Sequence, residues 1–225
     1  LWTPDRDGNM EDIVLGYDKL DRYVNNTGER FLGAPVGRVA NRINKGEFEL
    51  DGVKYNIPQN SNGHSLHGGN KGIDMVVWDV EYVADNAITL VLHSKDGDDG
   101  FPGNLDITMT YTLTPENEFE VTYHAKTDKK TVVNLSHHSF FNLKGEGNGT
   151  IEDHILTIKA DKITPTDAGL IPTGELLAVD GTPFDFREPH AIGERIGADD
   201  VQLKNGGGYD MNWVLDREDN GQVMT

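Results

Sequence analysis

Paired runs of alternating apolar and polar residues, joined by short turns, restrict the fold of this chain more than any other feature. Three pairs stand around the turns Asp51-Gly52, Asp85-Asn86 and Pro115-Glu116-Asn117. The strands they predict are 48–50 with 53–57, 76–83 with 87–92, and 106–113 with 119–124. A period of two buries one face of a strand and leaves the other in water, and Asp-Gly is a strong hairpin signal. The pattern therefore predicts antiparallel hairpins.

Helical patterns are few in comparison. The sequence predicts short helices over 17–25 and 191–196, and further strands over 131–134, 139–143 and 154–160. The 26 glycines among 225 residues suit a chain with many turns. No repeat or linker divides the chain, and strands do not alternate with long helices. We therefore predict an all-β fold, with residues 1–225 forming a single antiparallel β-sandwich or barrel.

The charge balance and the lack of cysteine exclude several classes of protein. With 20 basic and 38 acidic residues the formal net charge is −18, which argues against binding to nucleic acid or to an anionic membrane surface. The absence of cysteine excludes disulfides, thiolate zinc sites and cysteine nucleophiles. No apolar run approaches the roughly 20 residues of a membrane span. The compartment stays open, with the cytoplasm favoured over the periplasm or secretion.

Two segments carry weak signals of a metal site. His64 and His67, in NGHSLHGGNKG, have the spacing of half a metal site, but no third ligand can be named. The acidic run 96–103 superficially resembles a calcium loop. It lacks the length and the terminal glutamate of such a loop, which favours a tight acidic turn. We expect no metal ligands at these histidines and keep bound Ca²⁺ as the weaker alternative for the acidic loops.

Two adjacent histidines, His137 and His138, lie in NLSHHSFFNL. Successive residues of a strand point to opposite faces, so one of the two is expected to face a pocket. A buried imidazole can transfer protons near neutral pH, which makes this histidine a candidate acid or base. A hydrogen-bonded structural histidine is the alternative for either residue.

Two arginines and one aspartate stand in glycine-rich segments. Arg38 and Arg42 lie in GAPVGRVANRINKGEF, where a buried guanidinium needs a carboxylate or a hydroxyl-rich ligand. A structural bridge to an acidic residue is the alternative. Asp210 lies between Tyr209 and Trp213 after three glycines, an arrangement that sugar-binding sites use. For Asp210, a solvated loop carboxylate is the alternative.

Seven segments in this order resemble the aldose 1-epimerases, the galactose mutarotase family, over about Ile13 to Asp216. The segments are LGYDKLDRYV, GRVANRINKGEFELDGVKYNI, NGHSLHGGNKGIDMVVW, DGDDGFPGNL, NLSHHSFFNLKG, ITPTDAGLIPTGE with GTPFDFREPHAIG, and GGYDMNWVLD. The resemblance implies a large antiparallel β-sandwich, in agreement with the hairpin pattern. It also implies that strands of the family fold precede Leu1 and follow Thr225.

The resemblance assigns roles to five residues of the sequence. His138 is implied as the general acid, and His67 as a catalytic and substrate-binding residue near the ring oxygen and C1. Asn41, Arg42 and Asp210 are implied to bind sugar hydroxyls. Supporting or structural roles remain for three others: Arg38, His64 and His137.

The implied reaction interconverts the α and β anomers of a free aldohexose, glucose or galactose, by acid–base ring opening. It needs no cofactor, and a small-molecule aldose is the expected partner of a monomer or weak dimer. The family's general base is a glutamate that we expect beyond Thr225, so residues 1–225 alone are expected to be a poor catalyst.

Three other functions remain open at this point. A β-sandwich could bind sugar without turnover. A hexose-6-phosphate 1-epimerase would need extra cationic residues, which the charge of −18 disfavours. A glycoside hydrolase would need two carboxylates at a defined separation, which the histidine motifs do not suggest.

Overall fold

The chain folds into antiparallel strands with little helix. The computed structural model describes residues 1–25 and 28–217. They form two compact units, unit 1 from Leu1 to Glu146 and unit 2 beginning at Gly147. The all-β prediction is confirmed, whereas the grouping of both units in one domain stays a prediction. Neither α-helix in the described part of the chain has the length and apolar character to cross a bilayer.

Unit 1 contains twelve described strands and the one-turn helix α1 (Leu20–Val24). The strands are β1 (Trp2–Pro4), β2 (Met10–Asp12), β3 (Pro35–Val36), β4 (Arg42–Ile43), β5 (Glu47–Leu50), β6 (Val53–Asn56), β7 (Ser65–Leu66), β8 (Asp79–Val83), β9 (Ala87–Ser94), β10 (Leu105–Leu113), β11 (Phe119–Thr127) and β12 (Ser136–His137). The unit is built around one four-stranded antiparallel sheet, in the order β11-β10-β9-β8. Two-stranded pairings join β1 to β2, β3 to β12, β4 to β7, and β5 to β6.

The three predicted hairpins are present at their predicted turns. Asp51 and Gly52 have φ of 51° and 78°, as the tight turn between β5 and β6 requires. In β10 the alternate residues Leu105, Ile107 and Met109 are fully buried. Each side chain of this size contributes about 1.5–3 kcal/mol when it is removed from water, so this alternation fixes the register of the sheet.

The described elements of unit 2 are β13 (Ile155–Leu156), β14 (Lys162–Thr164), β15 (Leu177–Ala178), β16 (His190–Ala191), α2 (Val201–Gly206) and β17 (Asn212–Val214). They form a three-stranded sheet in the order β15-β14-β17 and a pair of strands, β13 with β16. The core of the unit contains Ile163, Val179, Phe184 and Leu203.

The predicted helix over 191–196 is wrong. That segment is a single 3-10 turn, Ile192–Glu194, and the helix of unit 2 is α2. The Asp200 carboxylate accepts hydrogen bonds from the backbone N–H groups of Gln202 and Leu203, which caps the first turn. Gly207, with φ of 66°, ends the helix. The capping residues, rather than the short apolar run before them, decide where the helix forms.

The predicted strands over 131–134 and 139–143 are also wrong, and that over 154–160 shrinks to β13. The backbone of Asn134 instead bonds to the 38–40 segment, with its N–H donating to the Arg38 carbonyl at 2.8 Å. The Ala40 N–H donates to the Asn134 carbonyl at 2.7 Å, which makes an isolated parallel bridge. These segments make single bridges because their partners are other loops and not a continuous strand.

Candidate functional site

Two imidazoles meet in unit 1, those of His67 and His138. Their ring centroids lie 5.1 Å apart and their planes are nearly perpendicular, at 87°. The buried Phe31 contacts both rings, at 4.6 Å from His67 and 5.8 Å from His138. Phe140 lies 5.0 Å from His138. The structure therefore brings the two predicted catalytic residues together in an aromatic environment.

Short strand pairings bring these residues to one place. β4 pairs with β7 so that Arg42 lies opposite Leu66, and the His67 N–H donates to the Asn41 carbonyl at 3.1 Å. Asn41 and Arg42 consequently lie beside His67. The pairing of β3 with β12 continues into a hydrogen bond from the His138 N–H to the Ala34 carbonyl at 2.9 Å. Two-residue strands suffice here because each extends into such a bond.

The Asn41 backbone fixes the proton position on His67. The Asn41 N–H donates to Nδ1 of His67 at 2.9 Å. Because Nδ1 accepts a hydrogen bond, the neutral ring carries its proton on Nε2. Burial, together with the smaller effects of the neighbouring His138, Arg42 and Arg30, lowers the pKa of His67 to about 4. At neutral pH His67 is thus an uncharged hydrogen-bond donor through Nε2.

The structure distinguishes the two adjacent histidines that the sequence could not. Nε2 of His137 lies 2.9 Å from the Tyr111 hydroxyl, and its Nδ1 lies 2.8 Å from the Ser139 hydroxyl. His137 lines a largely apolar cavity of about 500 Å³, away from the imidazole pair. Neither ring nitrogen of His138 has a hydrogen-bond partner among residues 1–25 and 28–217. His138 is therefore the histidine whose nitrogens are free to meet a ligand.

Arg42 and Asn41 add hydrogen-bond donors to this group. Nη1 of Arg42 donates to Oδ1 of Asn41 at 3.3 Å. No carboxylate in the described part of the chain forms an ion pair with Arg42, although the sequence contains 38 acidic residues. A half-buried guanidinium without a carboxylate partner has N–H groups available for the hydroxyls of a ligand.

Asp210 belongs to unit 2, and its participation in a site with the imidazoles stays a prediction. The residue is exposed and follows the glycines that end α2. Its neighbours are anchored, since the Tyr209 hydroxyl donates to the Pro183 carbonyl at 3.1 Å and Trp213 Nε1 donates to the Phe184 carbonyl at 3.0 Å. The Asp210 carboxylate is therefore displayed from a fixed backbone.

The residues that suggested a metal site in the sequence make hydrogen bonds within the protein. His64 Nδ1 accepts a hydrogen bond from the Lys45 N–H at 3.1 Å, while Nδ1 of His67 is occupied by Asn41. Within residues 1–25 and 28–217, no three His, Asp or Glu side chains are grouped to hold a metal ion. In the 96–103 loop the Asp98 carboxylate accepts hydrogen bonds from the Lys95 N–H and the Ser94 hydroxyl. Calcium binding to the acidic loops stays an untested prediction.

Arg38 forms no ion pair with a carboxylate of residues 1–25 and 28–217, so the predicted bridge to an acidic residue is wrong, whereas its contacts fit the supporting role that the resemblance leaves to it. It is buried and donates to the Ser94 hydroxyl and to backbone carbonyls of the 94–103 loop. Phe31, which contacts both imidazoles, was missed by the sequence analysis. No sequence signal marks it, since a single phenylalanine before a Leu-Gly-Ala turn is common in proteins.

Gly68 allows two backbone segments to touch next to His67. A Cβ atom on Gly68 would lie 1.7 Å from the Gly37 carbonyl oxygen, and its φ is 93°. Gly68→Ala is therefore expected to lower the free energy of unfolding by about 2–3 kcal/mol more than Gly63→Ala. Gly63 is the matched control because its φ is 81° and a Cβ there would meet nothing within 4 Å. Urea unfolding of both variants measures the difference, and equal losses would contradict the close approach.

The partly buried His67 makes stability depend on pH. Its pKa of about 4 in the folded protein lies below the ordinary value of 6.5, so the unfolded chain takes up a proton first as the pH falls. Stability is intact above about pH 6.5 and decreases as the pH falls to about 4, by about 3 kcal/mol in total.

The variant His67→Asn tests this dependence, because asparagine tolerates the φ of 50° and can accept the Asn41 N–H, but does not titrate. We expect wild-type stability, measured by urea unfolding, to fall between pH 7 and pH 4.5 by about 2 kcal/mol more than that of the variant. Identical pH slopes for the two proteins would show that His67 is not held neutral.

Comparisons with known proteins identify relatives of this chain. The sequence profile of the family described as aldose 1-epimerase matches residues 1–224. The galactose mutarotase of Bos taurus is 44% identical over 215 residues, which cover 96% of this chain and 60% of that protein. The aldose 1-epimerase of Escherichia coli is 38% identical, with 98% of this chain and 63% of that protein covered. This chain thus spans less than two thirds of the length of these relatives.

A solved structure shows the same fold. The crystal structure of an aldose epimerase homologue from C. elegans has a TM-score of 0.84 and 30% identity, covering 99% of this chain and 66% of that one. This likeness confirms the all-β fold class that the hairpins predict.

Proposed function

The chain belongs to the aldose 1-epimerase family, and from this premise we propose that it interconverts the α and β anomers of free aldohexoses, glucose or galactose. The observation that supports this most directly is the pair of His67 and His138. One imidazole is an uncharged donor through Nε2, and the other, 5.1 Å away, has both nitrogens without a protein partner in the described residues. Ring opening of a sugar needs such groups at two neighbouring oxygens.

The proposed reaction begins with the sugar bound as a closed ring. Protonated His138 gives its proton to the ring oxygen while a base takes the proton of the C1 hydroxyl, and the bond between C1 and the ring oxygen breaks. The product is the open-chain aldehyde, with a new hydroxyl where the ring oxygen was. After rotation about C1–C2 this hydroxyl adds to the other face of the aldehyde and returns its proton to His138. The base gives its proton back to the carbonyl oxygen, which becomes the C1 hydroxyl of the other anomer. The base, expected to be a glutamate beyond Thr225, stays a prediction.

His67 is proposed to act as a hydrogen-bond donor and not as an acid. With a pKa of about 4 it is uncharged at neutral pH, so it has no extra proton to transfer. Its Nε2–H can donate to the sugar near the ring oxygen and C1, which orients the ring oxygen toward His138. The two histidines are thus proposed to divide positioning and proton transfer between them.

The hydroxyl groups are proposed to be bound by Asn41, Arg42 and Asp210. Asn41 and Arg42 lie beside His67 in unit 1 and present an amide and an unpaired guanidinium. Asp210 presents an exposed carboxylate from an anchored loop of unit 2. Such groups suit a neutral ligand, for which the net charge of −18 is no obstacle.

Polarimetry tests the proposal on the whole natural protein. Freshly dissolved α-D-galactose relaxes to its equilibrium optical rotation, and we expect the relaxation rate to rise in proportion to protein concentration. Imidazole NMR signals that shift on galactose addition, without faster relaxation, would indicate a binding module and overturn the proposal. Faster relaxation of the 6-phosphate than of the free sugar would show that the substrate is a phosphorylated hexose.

A further inference from the structure

We propose that Arg30 is a positioning residue, whose ion pair with buried Asp74 keeps Phe31 and the 67–74 loop in place and thereby holds the rings of His67 and His138 perpendicular. The inference rests on the proposed function, because it concerns the imidazoles assigned there. Arg30 itself need not touch the sugar. It lies one residue before Phe31 in the sequence and reaches across to the other side of the loop.

The ion pair between Arg30 and Asp74 has two close contacts. Nε of Arg30 lies 2.7 Å from Oδ2 of Asp74, and Nη2 lies 3.0 Å from Oδ1. The Asp74 side chain is 1% exposed, so its charge needs this partner. A two-point contact also fixes the plane of the guanidinium, which a single contact would not do.

The same guanidinium contacts the aromatic wall of the site. Its central carbon lies 4.8 Å from the ring centroid of Phe31. Phe31 in turn contacts His67 at 4.6 Å and His138 at 5.8 Å. A shift of the Arg30 side chain would therefore move the Phe31 ring, which contacts both imidazoles.

Arg30 also fastens the loop that begins at His67. Its Nη1 donates to the Gly69 carbonyl at 3.3 Å, an oxygen that also accepts from Asn60 Nδ2 at 2.8 Å. Asp99 accepts from the N–H groups of Asn70 and Lys71, each at 3.1 Å. Of these anchoring side chains, Arg30 is the one that contacts Phe31 as well, so it couples the loop to the aromatic wall.

The positive charge of Arg30 also acts on His67 directly, because it disfavours protonation of the imidazole. The charged or titratable groups that act on His67 are His138, Arg42 and Arg30. Burial is the largest cause of the low pKa of His67, and each of these three groups further disfavours the imidazolium form. The carboxylate of Asp74 offsets part of the Arg30 charge. Loss of Arg30 is therefore expected to raise the pKa of His67.

The test is Arg30→Met, which keeps an unbranched side chain near Phe31 but removes the charge and both contacts to Asp74. Imidazole NMR follows the titration of His67, whose signals are assigned by their loss in His67→Asn. We expect the titration midpoint of His67 to rise by about 0.5 or more. We also expect the NOE contacts between the rings of Phe31 and His67 to weaken. Arg30→Lys, which keeps the charge, is expected to restore most of the midpoint but not the ring contacts.

Two further variants make the result decisive. Lys130→Met breaks the exposed ion pair of Lys130 with Asp51, also 2.7 Å long, and is expected to leave both readings unchanged. If Arg30→Met does not fold, the double variant Arg30→Met/Asp74→Leu removes the unpaired buried carboxylate, and its weakened ring contacts carry the test. Unchanged ring contacts in the folded Arg30→Met protein, or in the double variant, would overturn the inference.

The outcome is separable from that of the proposed function. The NMR readings need no substrate, so the expected shifts together with absent mutarotation would contradict the reaction and leave the positioning role standing. Mutarotation by the wild-type protein together with unchanged His67 signals in Arg30→Met would contradict the positioning role alone.

Discussion

Replacing His138 with asparagine is expected to lower kcat/KM for galactose mutarotation by about 10²–10⁴-fold, the range usual for the loss of a general acid. The effect should fall mainly on kcat, because the proposed proton transfer to the ring oxygen occurs in the transition state, whereas the proposed contacts of Asn41 and Arg42 with the hydroxyls are unchanged. Asparagine cannot supply a proton at neutral pH. Initial rates from polarimetry, measured over a range of galactose concentrations, separate kcat from KM.

The neighbouring histidine provides the control. His137→Asn removes an imidazole of the same size, one residue away, whose nitrogens contact Tyr111 and Ser139. We expect it to lower stability, because it breaks the contact with Tyr111, and to leave kcat/KM within about threefold of wild type. A larger catalytic loss in His137→Asn than in His138→Asn would reverse the assignment of the acid.

The parts of the fold that the sequence predicts well are those specified by neighbouring residues. The Asp51-Gly52 hairpin depends on two residues that adopt positive φ, and the alternation of β10 depends on its own side chains. The 131–134 segment carries a similar apolar signal, yet Asn134 bonds to the Arg38 carbonyl, about a hundred residues earlier in the chain. Such a partner leaves no trace in a local pattern, so the strand was predicted and a single bridge was found.

The same reasoning explains how far the site could be predicted. Strand alternation indicates that His137 and His138 face opposite ways, but it does not show which of the two has free ring nitrogens. That depends on Tyr111, 26 residues away, whose hydroxyl contacts Nε2 of His137. The tautomer of His67 depends on the Asn41 N–H, also 26 residues away. Family resemblance implies roles for His67 and His138, and the structure adds the contacts on which their proposed roles depend.

Arg38→Met is expected to lower the free energy of unfolding by about 4 kcal/mol. The Arg38 side chain is buried, and its nitrogens donate to the Ser94 hydroxyl at 2.9 and 3.0 Å. They also donate to the carbonyls of Ser94, Lys95, Pro102 and Gly103, at 2.8 to 3.1 Å. Methionine fills much of the space but donates nothing, so the buried oxygens of Ser94, Pro102 and Gly103 lose donors, at about 1–3 kcal/mol for each buried group left without one.

Arg187→Met is the matched control. The comparison shows whether burial of an arginine or its number of carboxylate partners matters more for stability. Arg187 forms ion pairs with three carboxylates, those of Asp161, Asp180 and Asp185, but its side chain is 36% exposed. Exposed ion pairs are screened by water, so we expect this variant to be destabilised much less than Arg38→Met. Urea unfolding followed by circular dichroism compares the two. If Arg187→Met is the more destabilised protein, the hydrogen bonds of Arg38 to backbone carbonyls are not what holds the 94–103 loop. The ion pairs of Arg187 would then stabilise the protein more than solvent screening allows.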